Sequence, residues 1–461
     1  MLFSSPVFLI FFLPVVLILY FNPICKSRKY RNVVLLLASL FFYIGGEHRF
    51  IFVLLLSLFI NWQLGKCIAD RKNTKIYLIC AIIWNIGVLF VYKYMGFALL
   101  NLKALHIWNA DIISLTLPLG ISFFTFQILS YIFDLYMGKT TVQKSFWKFS
   151  LYVLMFPQLV AGPIVRYEDI ATELDCRKEN VDDFCDGFIR FIYGLGKKVL
   201  ISNPMGIIAD NMFYLSKEST ISVISAWIGA ITYTLQIYYD FSGYSDMAIG
   251  LGKVFGFHFP ENFNYPYCAR SITDFWKRWH MSLSTWFRDY IYIPLGGNRC
   301  GFARGIINML IVWFLTGLWH GANWTFVLWG LGYFLLLVLE RMLGLTKSKL
   351  GYLYTLPMVI ILWVVFRADS IGGAFHYIGQ MFGMAGMAID AYAVACIKNG
   401  GYLMVIAVIL AMPVKTIFNN KIRLNADWKR MIKAIVAIPI FVLCIAKCMQ
   451  GAYNPFIYFN F

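Results

Sequence analysis

Charge is scarce in this sequence: of 461 residues only 14% are Asp, Glu, Lys or Arg, against roughly 25% in a soluble domain. Acidic side chains are the rarer sign, 23 against 40 basic. With 60% of residues hydrophobic, there is too little polar surface for a water-soluble globule, and the chain belongs in a bilayer. Several chemical signatures are also missing. The absence of G-x-G-x-x-G and of a P-loop argues against nucleotide hydrolysis, and the absence of HExxH against zinc proteolysis. No G-x-S-x-G elbow accompanies the serines, aspartates and histidines, which argues against a hydrolase triad. Ten cysteines occur without CxxC or Cys/His metal spacing, so they read as reduced structural thiols and no metal site is expected. Fixed-period repeats, low-complexity tracts and soluble stretches of more than about 40 residues are all absent.

What is present is a series of apolar runs. About 20 apolar residues cross a hydrocarbon core, and residues 1–25, 112–133, 219–239 and 305–339 are free of Asp, Glu, Lys and Arg. Shorter uncharged runs at 32–46, 50–65, 76–92, 149–165, 350–366, 399–414 and 434–446 suit tilted, shortened or re-entrant segments. The pattern predicts an all-α polytopic membrane protein of about eleven to thirteen segments, including re-entrant or interfacial helices. It reads as one membrane domain, with N-terminal helices over 1–114, a core over 115–330, C-terminal helices over 331–450 and a tail over 451–461. Met1 is followed by neither a basic region nor a cleavage site, so the first helix is expected to be retained.

The net charge of +17 would suggest nucleic acid in a soluble chain. Here the basic residues fall in short loops, where they orient helices and meet anionic lipid, and no nucleic-acid partner is expected. Lys26, Arg28, Lys29 and Arg31, then Lys66, Arg71, Lys72 and Lys75, then Lys139, Lys144 and Lys148 follow the first, third and fifth runs. The positive-inside rule makes these loops cytoplasmic and the N-terminus external. The mixed stretch 166–204 suits interfacial helices. A basic loop with Lys415, Lys421, Arg423, Lys429, Arg430 and Lys433 is again cytoplasmic, and one more span leaves NPFIYFNF outside.

Of six histidines, at 48, 106, 258, 280, 320 and 376, His320 stands out. It lies near the middle of the uncharged run 305–339, within FLTGLWHGANWTFVLWG. An ionisable group at membrane depth faces a bundle interior or an aqueous cavity, and marks function by default. Gly317 and Gly321 permit close approach or an interrupted helix, and Asn323 offers a nearby polar group. His280 falls in SITDFWKRWHMSLSTWFRDYIYIPLGGNR, a segment able to line a cavity or to lie on headgroups.

Three long motifs then carry a resemblance. YDFSGYSDMAIGLGKVFGFHFPENFNYPY, DFWKRWHMSLSTWFRDYIYIPLGGNR and GLWHGANWTFVLWG, with FPQLVAGPIVR upstream, resemble the membrane-bound O-acyltransferase family. The likeness is to its bacterial branch of alginate O-acetyltransferases and the D-alanyl transfer protein of teichoic acid modification. It covers about 115–330 strongly and the ends loosely. It implies helices arranged around a tunnel joining the two membrane faces, with His320 matching the catalytic histidine and His280 its usual partner. It implies a cytosolic thioester donor, acetyl-CoA or an acyl carrier protein, and no permanently bound cofactor. Arg270, Lys277 and Arg278 are then phosphate contacts if their segment faces the cytoplasm, headgroup anchoring being the equal alternative. In NPFIYFNF, Tyr458 matches an aromatic tail proposed to receive the acyl group and pass it to an extracytoplasmic SGNH-type or esterase-like transferase acting on a polysaccharide. The wording of PLGGNR and GLWHGANW favours acetyl over D-alanyl transfer. The reading from a different class is a transporter of lipid-linked saccharide, against which stands the lack of an inverted repeat.

Overall fold

The computed structural model describes residues 2–70, 72–108, 115–160, 162–347, 351–414, 425–451, 453 and 457. Among them every regular element is helical. The principal helices are α1 (Val7–Tyr20), α2 (Arg28–Ile44), α3 (His48–Ala69), α4 (Thr74–Ala104), α5 (Ile121–Tyr136) and α6 (Phe146–Leu154). They continue with α7 (Val181–Gly196), α8 (Asn203–Glu218), α9 (Val223–Val254), α10 (Ile272–Trp276), α11 (Met281–Phe287), α12 (Phe302–His320) and α13 (Trp324–Leu343). The last are α14 (Gly351–Arg367), α15 (Ile371–Met381), α16 (Ala391–Ala411) and α17 (Ala426–Met449).

Among the described residues six helices are long and apolar enough to cross a membrane, namely α3, α4, α12, α13, α16 and α17 over Asp427–Met449, while α1, α5 and α14 are shorter apolar helices. The protein is therefore a multi-pass helical membrane protein. The run 149–165 does not form a span: α6 ends at Leu154 and a four-residue helix, Phe156–Leu159, follows. At about 1.5 Å per residue neither piece reaches across a ~30 Å hydrocarbon core.

The chain divides into two compact units, Met1–Ile192 with Tyr244–Pro260, and Tyr193–Gly243 with Glu261–Phe461. The first has an aromatic centre. Phe3, Phe8 and Phe42 are almost wholly buried, and Phe156 meets Phe12 edge-on with ring centroids 5.3 Å apart.

A charged knot closes one end of this unit. Arg177, its side chain fully covered, donates to Tyr20 Oη and Phe255 O at 3.0 Å each and to Asn32 Oδ1 at 2.7 Å. Glu179 pairs with Arg28 and, at 2.6 Å, with Arg31, and accepts from Tyr20 Oη. Burial by itself would raise the Glu179 pKa, but the hydrogen bonds from Arg28 and Tyr20 and the Arg28 charge outweigh it and hold the carboxyl at about 2. Because the folded value is depressed, this stabilisation is complete above the ordinary carboxylate range and is lost as pH falls toward about 2. Wild-type protein should therefore lose more melting temperature between pH 5 and pH 3 than Glu179→Gln does. Equal losses in thermal unfolding scans of the two in detergent would show that the knot carries no such linkage.

In the second unit the uncharged run 305–339 is two helices rather than one. Gly321 is extended at φ −171°, and Asn323 starts α13 by accepting from the Thr325 amide at 3.2 Å. The helices then fold back against each other with almost no side chain between them. A Cβ on Gly317 would lie 2.5 Å from Phe326 O and 3.2 Å from Val327 Cα, and one on Gly330 would lie 3.3 Å from Gly317 Cα. Such backbone contact needs glycine on both helices, as in the small-residue packing of membrane helices generally. A mostly buried aromatic layer of Trp276, Trp313, Trp329, Tyr333 and Trp363 fills the space around the pair.

Candidate functional site

The helix break decides where His320 sits. It is the last residue of α12, 1% exposed, and its ring is met edge-on by Trp329 at 5.0 Å and Phe366 at 5.2 Å. At the end of a helix rather than within one, its side chain is held by packing against α13 and α14.

His280 reaches the same place by another route. Non-glycine residues rarely adopt a left-handed backbone, yet His280 does, with φ 45° and ψ 52°, where it caps α11. A strained backbone of this kind persists only where its surroundings over-determine it. Here Met281 N donates to Asn262 O at 3.0 Å, and Phe241 meets the imidazole at 4.6 Å, nearly perpendicular. The Trp319 ring lies 5.9 Å from the His280 ring and 5.0 Å from the His320 ring, so a single indole neighbours both.

Asn262 determines the chemistry of His280. Its Oδ1 accepts from the Ser282 backbone amide at 3.2 Å and from Ser282 Oγ at 2.9 Å, and lies 3.2 Å from His280 Nδ1. A backbone N–H can only donate, so the Asn262 atom in that position is the oxygen. Nδ1 must therefore carry a proton, and in the neutral ring Nε2 holds the lone pair. Replacing Asn262 by leucine should release this tautomer and lower kcat by about tenfold to a hundredfold, the usual cost of losing an orienting partner. Asn262→Asp keeps the acceptor but adds a negative charge that raises the imidazole pKa, so the acid limb of the pH–rate profile should move upward. A pH profile unchanged in Asn262→Asp would count against an essential neutral His280.

The segment bearing His280 is pinned by a carboxylate. Glu340 of α13, 1% exposed, accepts from the Thr273 amide at 3.0 Å and Thr273 Oγ1 at 2.7 Å, and also from Ile272 N and Tyr354 Oη. It thereby supplies the negative charge that the start of α10 favours.

Asn323, Arg278 and Arg270, also singled out in the sequence, have partners of their own. Asn323 donates to Asp369 O at 3.0 Å as well as capping α13. Arg278 holds Asp274 at 2.8 Å, Lys277 is exposed, and Arg270 lies over the Tyr352 ring at 5.7 Å. Tyr458 lies outside the described residues, as do Lys415, Lys421 and Arg423. None of the ten cysteines forms a disulfide, and among the described residues no group of three or more His, Cys, Asp or Glu is placed to hold a metal. Asn262, Glu340 and Trp319 were not legible as site residues. Asn262 lies 18 positions before His280, and only the turn of the chain brings them together.

The chain is thus a multi-pass helical protein that brings two buried histidines beside one indole. The model of the membrane-bound O-acyltransferase family matches residues 142–368, which include Asn262, His280 and His320. The chain belongs to that family and is an O-acyltransferase. It is similar to a probable alginate O-acetylase of Pseudomonas putida, 36% identical with 100% of both chains covered. It is 40% identical to a probable alginate O-acetylase of Pseudomonas aeruginosa over 83% of this chain and 75% of that one. A peptidoglycan O-acetyltransferase of Helicobacter pylori is 31% identical over 100% of this chain and 98% of the relative.

Proposed function

We propose that this enzyme O-acetylates an extracytoplasmic polysaccharide in the cytoplasmic membrane, taking the acetyl group from a cytosolic thioester and delivering it across the bilayer. The observation that carries the reading is the joint placement of His320 and His280 beside Trp319. The names of the similar proteins, which act on alginate and peptidoglycan, support acetyl as the group and a polysaccharide as the final acceptor. The donor is acetyl-CoA, with an acylated carrier protein as the alternative form of the same thioester, and Arg270 and Lys277 are its phosphate contacts, Arg278 being engaged with Asp274.

The reaction needs one base and no metal. His320 takes the proton of the acceptor hydroxyl as its oxygen bonds to the thioester carbonyl, the C–S bond breaks, and the imidazolium returns the proton to the leaving thiolate. Held with Nε2 as its lone-pair nitrogen, neutral His280 can only accept a hydrogen bond there, and because the single proton of the incoming hydroxyl goes to His320, His280 orients the acceptor through a donor other than the reacting hydroxyl. An oxyanion-stabilising role would require its doubly protonated form.

The first acceptor is Tyr458, in the segment that positive-inside counting puts outside. Its acetyl ester then passes to an SGNH-type transferase. Incubating purified protein with radiolabelled acetyl-CoA and mapping the label tests this. Label is expected on the peptide holding residue 458, absent in Tyr458→Phe and in His320→Ala. An unlabelled tail with full polymer acetylation in Tyr458→Phe would remove the relay. No consumption of acetyl-CoA with the partner transferase present would remove the donor.

A further inference from the structure

We infer that the buried ion pair between Lys198 and Asp240 is a clamp that holds the last segment of this chain in register for acyl transfer, an inference that rests on the relay reading above. Lys198 lies in the π-helical turn Lys197–Ser202 that joins α7 to α8, and Asp240 on α9. Their nitrogen and oxygen are 2.7 Å apart, with side chains 3% and 1% exposed. Burying two charges costs more desolvation than their attraction returns unless the remaining lone pairs are also satisfied. Here the satisfying group comes from the tail: Ile457, itself buried, donates its backbone N–H to Asp240 Oδ2 at 2.8 Å.

A second attachment lies four residues earlier. Tyr453 Oη donates to Asp210 Oδ2, and the other Asp210 oxygen pairs with Arg367. The Arg367 guanidinium is itself fixed over the rings of Phe213 at 4.5 Å and Tyr233 at 4.7 Å. The Tyr453 ring rests where α8 has no side chain, since a Cβ on Gly206 would come within 3.2 Å of Tyr453 Cε1. Lipid-facing aromatic anchors need only an interface; two carboxylates on α8 and α9, one gripping a backbone amide, define a register.

That register bears on the reaction. Phe241, next along α9 from Asp240, is the residue whose ring meets His280 at 4.6 Å. Residue 458 follows Ile457 directly in the sequence, so the clamp acts one position from the relay residue. Asp240, Lys198 and Asp210 are thus positioning residues for the tail. Tyr453, whose hydroxyl is committed to Asp210, is a strap and not the carrier.

Hydrogen–deuterium exchange with peptide mapping on the full chain in lipid nanodiscs reads the clamp directly. In Asp240→Asn the amides around Ile457 are expected to exchange about tenfold faster or more, the size of one lost hydrogen bond to a charged acceptor, while α12 and α13 keep their rates. Acetyl label on residue 458 should fall by a similar factor, with the apparent KM for acetyl-CoA unchanged. The double variant Lys198→Met/Asp240→Leu removes both charges, avoids stranding a lone buried lysine, and should behave in the same way. Unchanged exchange around Ile457 in both folded variants would overturn the clamp. Full activity with an unlabelled tail in Tyr458→Phe would overturn the relay, and with it the clamp's role in transfer, whatever the exchange rates are.

Discussion

His320→Ala is expected to abolish acyl transfer, with a fall of about a thousandfold or more where a general base is lost, while the protein still inserts and melts close to the wild type. The ring contributes packing as well as chemistry, since Trp329 and Phe366 meet it edge-on at 5.0 and 5.2 Å. Its removal leaves a void whose cost is of the order of 2 kcal/mol, small beside the kinetic loss. His320→Gln fills more of that void without restoring a base of suitable pKa, so it should regain stability and not rate. Single-turnover assays with acetyl-CoA, run alongside melting curves, separate the two effects. Transfer retained by folded His320→Ala would take the base role away from this residue.

Gly330→Leu should be nearly as damaging for a different reason. A Cβ at this position would already meet Trp313 O and come within 3.3 Å of Gly317 Cα, and both obstacles are backbone, which cannot rotate away. A leucine forces α12 and α13 apart, at an overpacking cost of about 1–3 kcal/mol or more. His320 lies one turn beyond Gly317 on α12, so the same displacement carries its ring away from Trp329. A misplacement of about 1 Å costs on the order of a hundredfold in rate. Activity and melting temperature should therefore fall together in Gly330→Leu and less steeply in Gly330→Ala. Leu335→Ala, at a position 57% exposed on the same helix, should leave both near wild type. A Gly330→Leu protein with normal rate would mean that this close approach does not position the histidine.

These two expectations differ in how far the sequence alone could have supplied them. His320 was legible because an ionisable side chain in an uncharged run is conspicuous at any resolution. Gly317 and Gly321 were legible as sites of close approach or interruption, and the structure uses them for both, with α12 and α13 in backbone contact and the chain broken at 321–323. Gly330 carried no such signal, because glycine is common in membrane helices and its partner lies across a turn. Asn262 was hidden for a similar reason. Nothing in FPENFNYPY distinguishes the amide that binds His280 from its neighbour Asn264, until His280 takes up its left-handed backbone and places Ser282 and the imidazole on one oxygen. Arg278 shows the reverse case: a cation available in the sequence to meet a phosphate is engaged with Asp274 at 2.8 Å.

Composition and periodicity determined that this protein is helical and membrane-embedded, because apolar runs and sparse charge act locally and need no knowledge of neighbours. The long motifs around His280 and His320 also determined its family. Only the tertiary structure decided that one uncharged run is two helices, which nitrogen of His280 bears the lone pair, and that Asp240 and Asp210 reach the segment after α17. Each of these depends on groups 18 to 243 positions apart in the chain or on backbone angles at single residues, and hydrogen bonds over such separations leave no pattern in sequence.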